Sequence, residues 1–172
     1  MFYHVRMPTD QERWQGLFRG SIISATIAKH VSYLTSADTR AQGLILLNSA
    51  LVPLAINGLR TPAYHLASTI CVLTALITIC LCIFSLYPKR LGSKTSKNLL
   101  HYVSFSTMSE ETYVKEMKKA FADNEILAEM AVRDLHHLGS RIIKPKYFFL
   151  RIAYAVFLLG QLSAALAAIA VS

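Results

Sequence analysis

With 172 residues, 53% of them hydrophobic and only 16% charged, the chain is too apolar and too sparsely charged for an ordinary soluble domain, so a membrane protein is the first expectation. A net charge of +8 and a pI near 9.6 exclude an acidic protein and leave nucleic acid, anionic lipid or a phosphorylated small ligand as partners for the basic excess. The three cysteines, Cys71, Cys80 and Cys82, all fall in apolar sequence without zinc-ligand spacing to histidines, so neither a disulfide framework nor a metal is expected.

The opening sequence, MFYHVRMPTDQERWQG, has no apolar core of signal-peptide type. Thr9 and Glu12 fit a capping box that starts a helix. Ile23, Ile27, Val31 and Leu34 recur at spacings of four, four and three, the face of an amphipathic helix. Trp14 and Phe18 begin a neighbouring face. This helix, over residues 1–40, reads as a cytoplasmic amphipathic helix and not as a span. From Ala41 to Leu59 the chain carries no charge, and at about 1.5 Å per residue that stretch is long enough to cross a bilayer. Pro53 predicts a kink in it. Asn48 and Asn57 are amides too costly to face lipid, so each is expected to face another helix or a ligand cavity.

GLRTPAY, residues 58–64, reads as a tight connection. After His65, the run to Leu86 has no charge, Gly or Pro, which predicts the strongest span of the chain, over 65–87, antiparallel to the first. Beyond Pro88 the sequence turns polar, basic and Ser/Thr-rich. Thr107 and Glu110 fit a second capping box. Tyr113, Met117, Ala120, Asn124, Leu127, Ala131, Leu135, Leu138 and Ile142 then repeat at three and four, predicting one long amphipathic helix that packs on the N-terminal one or on a second copy. Gly139 or Pro145 marks its end or a bend. The segment 147–172 opens with aromatics beside Lys144, Lys146 and Arg151, in the manner of an interfacial belt, and continues as a third uncharged span. Gly160, Ala164 and Ala168 give it a face of small residues.

Lys and Arg number five in residues 1–40, one in the hairpin connection (Arg60) and eleven in residues 88–147. The positive-inside rule therefore places the N-terminus and the 88–147 segment in the cytoplasm, with the hairpin tip and the C-terminus outside. No Gly-rich phosphate loop, GxSxG or HExxH is present, and adjacent His136 and His137 point about 100° apart on a helix, so neither an enzyme nor a metal site is expected. Arg40, Lys144, Lys146 and Arg151 should end at one membrane depth. There they suit lipid head groups or the phosphate of a cytosolic ligand, with Asp38 pairing with a cation or accepting from a ligand hydroxyl or base edge.

The run SADTRAQGLILLNS (residues 36–49) resembles the "ADxKAxxLLxxNG" signature of the transmembrane PycTM type of Pycsar effector. The polar break near LYPKR, the MSEETYVKEM segment and ILAEMAVRDLHHLGSRIIKPKYFFLRIAYAVFLLG are also similar to that family, and the likeness covers about residues 30–165. It maps Asp38, Arg40, Ala41, Asn48, Leu138, Gly139, Lys146, Tyr147 and Arg151 onto family positions. Arg40 stands where Lys is usual and Ser49 where Gly is usual.

The resemblance implies a bacterial inner-membrane effector of abortive infection that answers a cyclic nucleotide, either a cyclic pyrimidine mononucleotide or a cyclic oligonucleotide, by impairing the membrane. The expected architecture is an all-α membrane protein with three spans, whose long helices extend into a cytoplasmic bundle. Asp38, Arg40, Asn48, Lys144, Lys146 and Arg151 are the expected ligand residues. Membrane lipid and further copies of the chain are the expected partners, and nucleic acid is not. A scaffolding membrane subunit with a basic lipid-binding face is the competing expectation.

Overall fold

A computed structural model of the chain describes residues 10–87, 99–100 and 105–171. The Thr9–Glu12 capping box, the Trp14 side chain and most of the 88–104 connection lie outside the described residues. Every regular element among them is helical: α1 (Asp10–Gly58), a short 3-10 turn (Pro62–Tyr64), α2 (His65–Leu86), α3 (Glu110–Ala122), α4 (Asn124–His137), a π-helical segment (Leu138–Ile143) and α5 (Lys144–Ile169). Three stretches are long and apolar enough to cross a membrane, Gln15–Gly58, Pro62–Leu86 and Asn124–Ile169. By contacts the chain divides into one unit of Met1–Ser32 with Gly92–Leu138, and another of Tyr33–Leu91 with Gly139–Ser172.

In the second unit α2 and α5 run antiparallel. Ser85 donates to the Lys146 carbonyl oxygen (3.1 Å) at one end, and the Cys71 thiol lies 3.6 Å from Gln161 Oε1 at the other. The last part of α1 completes a three-helix packing around Ala37, Ala41, Leu44, Cys82, Leu150 and Ala153. Small side chains dominate this core because apolar helices gain nothing from one another by leaving lipid, and close backbone approach is what lets dispersion hold them. The expected kink residue Pro53 sits inside a continuous helix.

The buried line of α1 differs from the one its apolar spacing predicts. Of the expected face, Ile23 and Leu34 are half-buried, but Ile27 and Val31 are 45% and 51% exposed; from residue 37 on, Ala37, Ala41, Leu44 and Asn48 are buried at spacings of four, three and four. Of the two amides, Asn48 is wholly buried, as expected, and Asn57 is exposed on the outer side of α1.

In the first unit the single long helix expected after residue 107 is two. Asp123, with an extended backbone (φ −128°, ψ 107°), ends α3 and caps α4, its carboxylate accepting from the amides of Glu125 (2.9 Å) and Ile126 (3.3 Å). A short Asp side chain competes for backbone donors in this way and favours a cap over a helix interior. The inward stripe survives the break: Tyr113, Met117, Ala120, Leu127, Ala131 and Leu135 are all buried or half-buried, and only Asn124, the first residue of α4, is exposed. The cap of α3 is Ser109, which accepts from the Thr112 amide (3.3 Å), two residues after the expected Thr107. Glu110 and Glu111 fall in its first turn, where the helix dipole favours them.

Candidate functional site

Lys146 belongs to the first turn of α5, and what sets its direction is the segment before it. Pro145 has no N–H for the Arg141 carbonyl and its ring crowds that turn; the six-residue π stretch Leu138–Ile143 widens the helix immediately upstream, a usual way of relieving such a position. On α1, Asp38 directly follows the buried Ala37. The two side chains meet as an ion pair, Lys146 Nζ donating to Asp38 Oδ1. The pair is largely enclosed, with side-chain exposures of 16% for Lys146 and 35% for Asp38. Its surroundings are tied in twice: Ser85 of α2 holds the Lys146 carbonyl, and the Tyr147 hydroxyl donates to the Tyr33 carbonyl oxygen (3.2 Å).

Beside the pair opens a cleft of about 400 Å³, within the size range of small-molecule sites. Asp38, Lys146 and Arg141 supply its charge, and Phe84, Tyr87 and Phe149 its aromatic wall. The Phe84 and Phe149 rings stand 6.2 Å apart and Phe148 packs edge-on against Phe149 at 5.7 Å. Two cations and one carboxylate leave the mouth net positive. Such a site can hold an anion by charge-assisted hydrogen bonds, seat a planar ring against aromatics, and offer one strong acceptor.

Of the six residues expected from the sequence, Asp38 and Lys146 come together and line the cleft. Arg40, Lys144 and Arg151 are exposed and do not line it. Asn48 lies ten residues along α1 from Asp38, about 15 Å away at 1.5 Å per residue. Its amide donates to the Leu44 carbonyl (2.7 Å), while its own oxygen is buried without a partner among the described residues. Arg141 was missed, because a regular helix through residues 138–146 would give it a different phase from the one the π segment sets. Among the described residues no three His, Cys, Asp or Glu side chains gather as metal ligands.

Three apolar helices packed through small residues, with a basic cleft at one end, define a helical membrane protein. The sequence model of the Pycsar effector protein domain, PycTM, matches residues 22–172. The chain belongs to that family, and it is a membrane effector in anti-phage defence. Neither the comparison with curated proteins nor that with solved structures gave a match.

Proposed function

We propose that the protein binds a cyclic nucleotide in the Asp38–Lys146–Arg141 cleft on the cytoplasmic side and, in response, impairs the inner membrane to abort infection. The observation that carries this reading is the convergence of two cations, one carboxylate and an aromatic wall on one cleft at the end of the spans. The nucleotide phosphate engages Arg141 and Lys146, the base lies against Phe84 and Phe149, and Asp38 accepts from a sugar hydroxyl or base N–H. A phosphate that draws Lys146 away weakens the tie between α1 and α5, so binding shifts the packing of the spans only by its differential affinity for the two arrangements. Exposed Arg40, Lys144 and Arg151 suit anionic head groups at the same level, at about 1 kcal/mol each.

The test is thermal stabilisation of the purified protein in nanodiscs by cyclic mononucleotides and cyclic dinucleotides. One of them is expected to raise the melting temperature of the wild type. Arg141→Ala and Lys146→Ala should each weaken binding about ten- to a hundredfold, the equivalent of one charge-assisted hydrogen bond, and lose ligand-dependent toxicity while expression persists. Arg40→Ala should bind nearly as the wild type. No shift with any cyclic nucleotide, together with unaltered toxicity in these variants, would sink the proposal and favour a lipid-binding scaffold.

A further inference from the structure

The outward face of α1 is unlike those of the other two spans. Between residues 66 and 86 of α2 the exposed positions are all Leu, Ile or Phe apart from Cys80. On α5 beyond residue 154 the one exposed polar side chain, Ser163, is satisfied by the Leu159 carbonyl (2.7 Å). Along the span of α1, by contrast, Thr39, Gln42, Leu46, Ser49, Pro53 and Asn57 are all exposed. They recur at spacings of three and four on the side opposite the buried Ala41–Leu44–Asn48 line. The Gln42, Ser49 and Asn57 side chains have no hydrogen-bond partner among the described residues. Pro53, inside the helix, has no N–H for the Ser49 carbonyl, so an open backbone acceptor lies beside the Ser49 hydroxyl near mid-span. Lipid satisfies neither group.

From this we infer that the Thr39–Asn57 seam is an intramembrane interface between copies of this chain, with α1 packed parallel against α1 of the second copy. The seam is self-complementary. Two copies inserted in one orientation bring like residues together about a two-fold axis along the membrane normal, as an isologous pair requires. Primary amides both donate and accept, so Gln42 meets Gln42 and Asn57 meets Asn57 without a mismatch. The Ser49 hydroxyl of each copy reaches the open Ser49 carbonyl of the other. Spacings of three and four match a left-handed helix pair, and the single polar positions fix its register. This inference is independent of the nucleotide and its cleft.

Disulfide trapping in native membranes tests it. Cys71, Cys80 and Cys82 are replaced by Ala, and single cysteines are placed by Leu46→Cys and Ser49→Cys on the seam, and by Leu73→Cys and Leu162→Cys on the exposed faces of α2 and α5. With copper phenanthroline as oxidant, a dimer-sized band is expected at the two seam positions and not at the other two. Equal bands at all four, bands only off the seam, or none at the seam would overturn the interface. Light scattering of the full chain in detergent gives the second reading. The wild type should exceed the 19.2 kDa of one copy. Gln42→Leu combined with Ser49→Ala should fall towards it while keeping its helical circular dichroism, since these exposed side chains make no hydrogen bond among the described residues. A wild type of single-copy mass, or a variant that stays assembled, would count against the seam.

Discussion

Lys146 sits in an enclosed place with Asp38 as its ion-pair partner. The ammonium side chain is 16% exposed, so removing the carboxylate leaves a cation with little water and no counter-charge. A fully buried charge orphaned in this way costs about 3–5 kcal/mol, and the 35% exposure of Asp38 lowers the expected loss for Asp38→Ala to about 1–3 kcal/mol. The double variant Asp38→Leu/Lys146→Met should recover most of that stability, because apolar groups of similar volume replace a buried pair at little cost. Denaturant unfolding in a mild detergent checks both, and a double variant less stable than Asp38→Ala would contradict the account. Asp38 and Lys146 were legible beforehand as residue types at one membrane depth. Arg141 was not, because nothing in its own neighbourhood announces the π turn except Pro145, four residues on.

At the scale of the helices, two glycines respond differently to an added methyl group. A Cβ at Gly160 of α5 would lie 2.5 Å from Thr74 Cβ, Cγ2 and Oγ1 alike. Thr74 has no escape, since no rotamer change moves its Cβ, and its hydroxyl is held by the Ile70 carbonyl (2.8 Å). Gly160→Ala should therefore force α2 and α5 apart, at about 1–3 kcal/mol. A Cβ at Gly58 meets the Ser68 hydroxyl, which rotates away, so Gly58→Ala should stay within about 0.5 kcal/mol of wild type. Thermal unfolding of the two variants compares them directly, and equal losses would refute the distinction. Helix existence read well from the sequence, because uninterrupted apolar runs have one physical solution in lipid. Helix phase read less well: of the apolar face expected on α1, Ile23 and Leu34 are half-buried while Ile27 and Val31 are exposed, because apolar spacing alone does not say which stripe a neighbouring helix covers. The break at Asp123 was hidden inside a stripe that continues on both sides of it, with the Asp–Asn pair its only local sign.

For the molecule as a whole, direction across the membrane follows from charge and register together. If each of the three apolar stretches crosses the membrane once, the two termini lie on opposite sides. α2 runs antiparallel to α5 and is joined to α1 by a tight turn, so α1 and α5 cross in the same sense. One Lys or Arg in the hairpin connection against eleven in residues 88–147 favours a cytoplasmic placement for the latter, since retaining Lys and Arg near the span ends on the inner side is what orients short loops. On that placement the cleft opens to the cytoplasm, as the proposed function requires. Alkaline phosphatase, active only outside the inner membrane, should be active when fused after Thr61 or after Ser172 and silent when fused after Ser96. A green fluorescent protein fusion should give the reverse pattern. Phosphatase activity at Ser96 would invert the topology, place Asp38, Lys146 and Arg141 outside, and remove the route by which a cytosolic nucleotide reaches them.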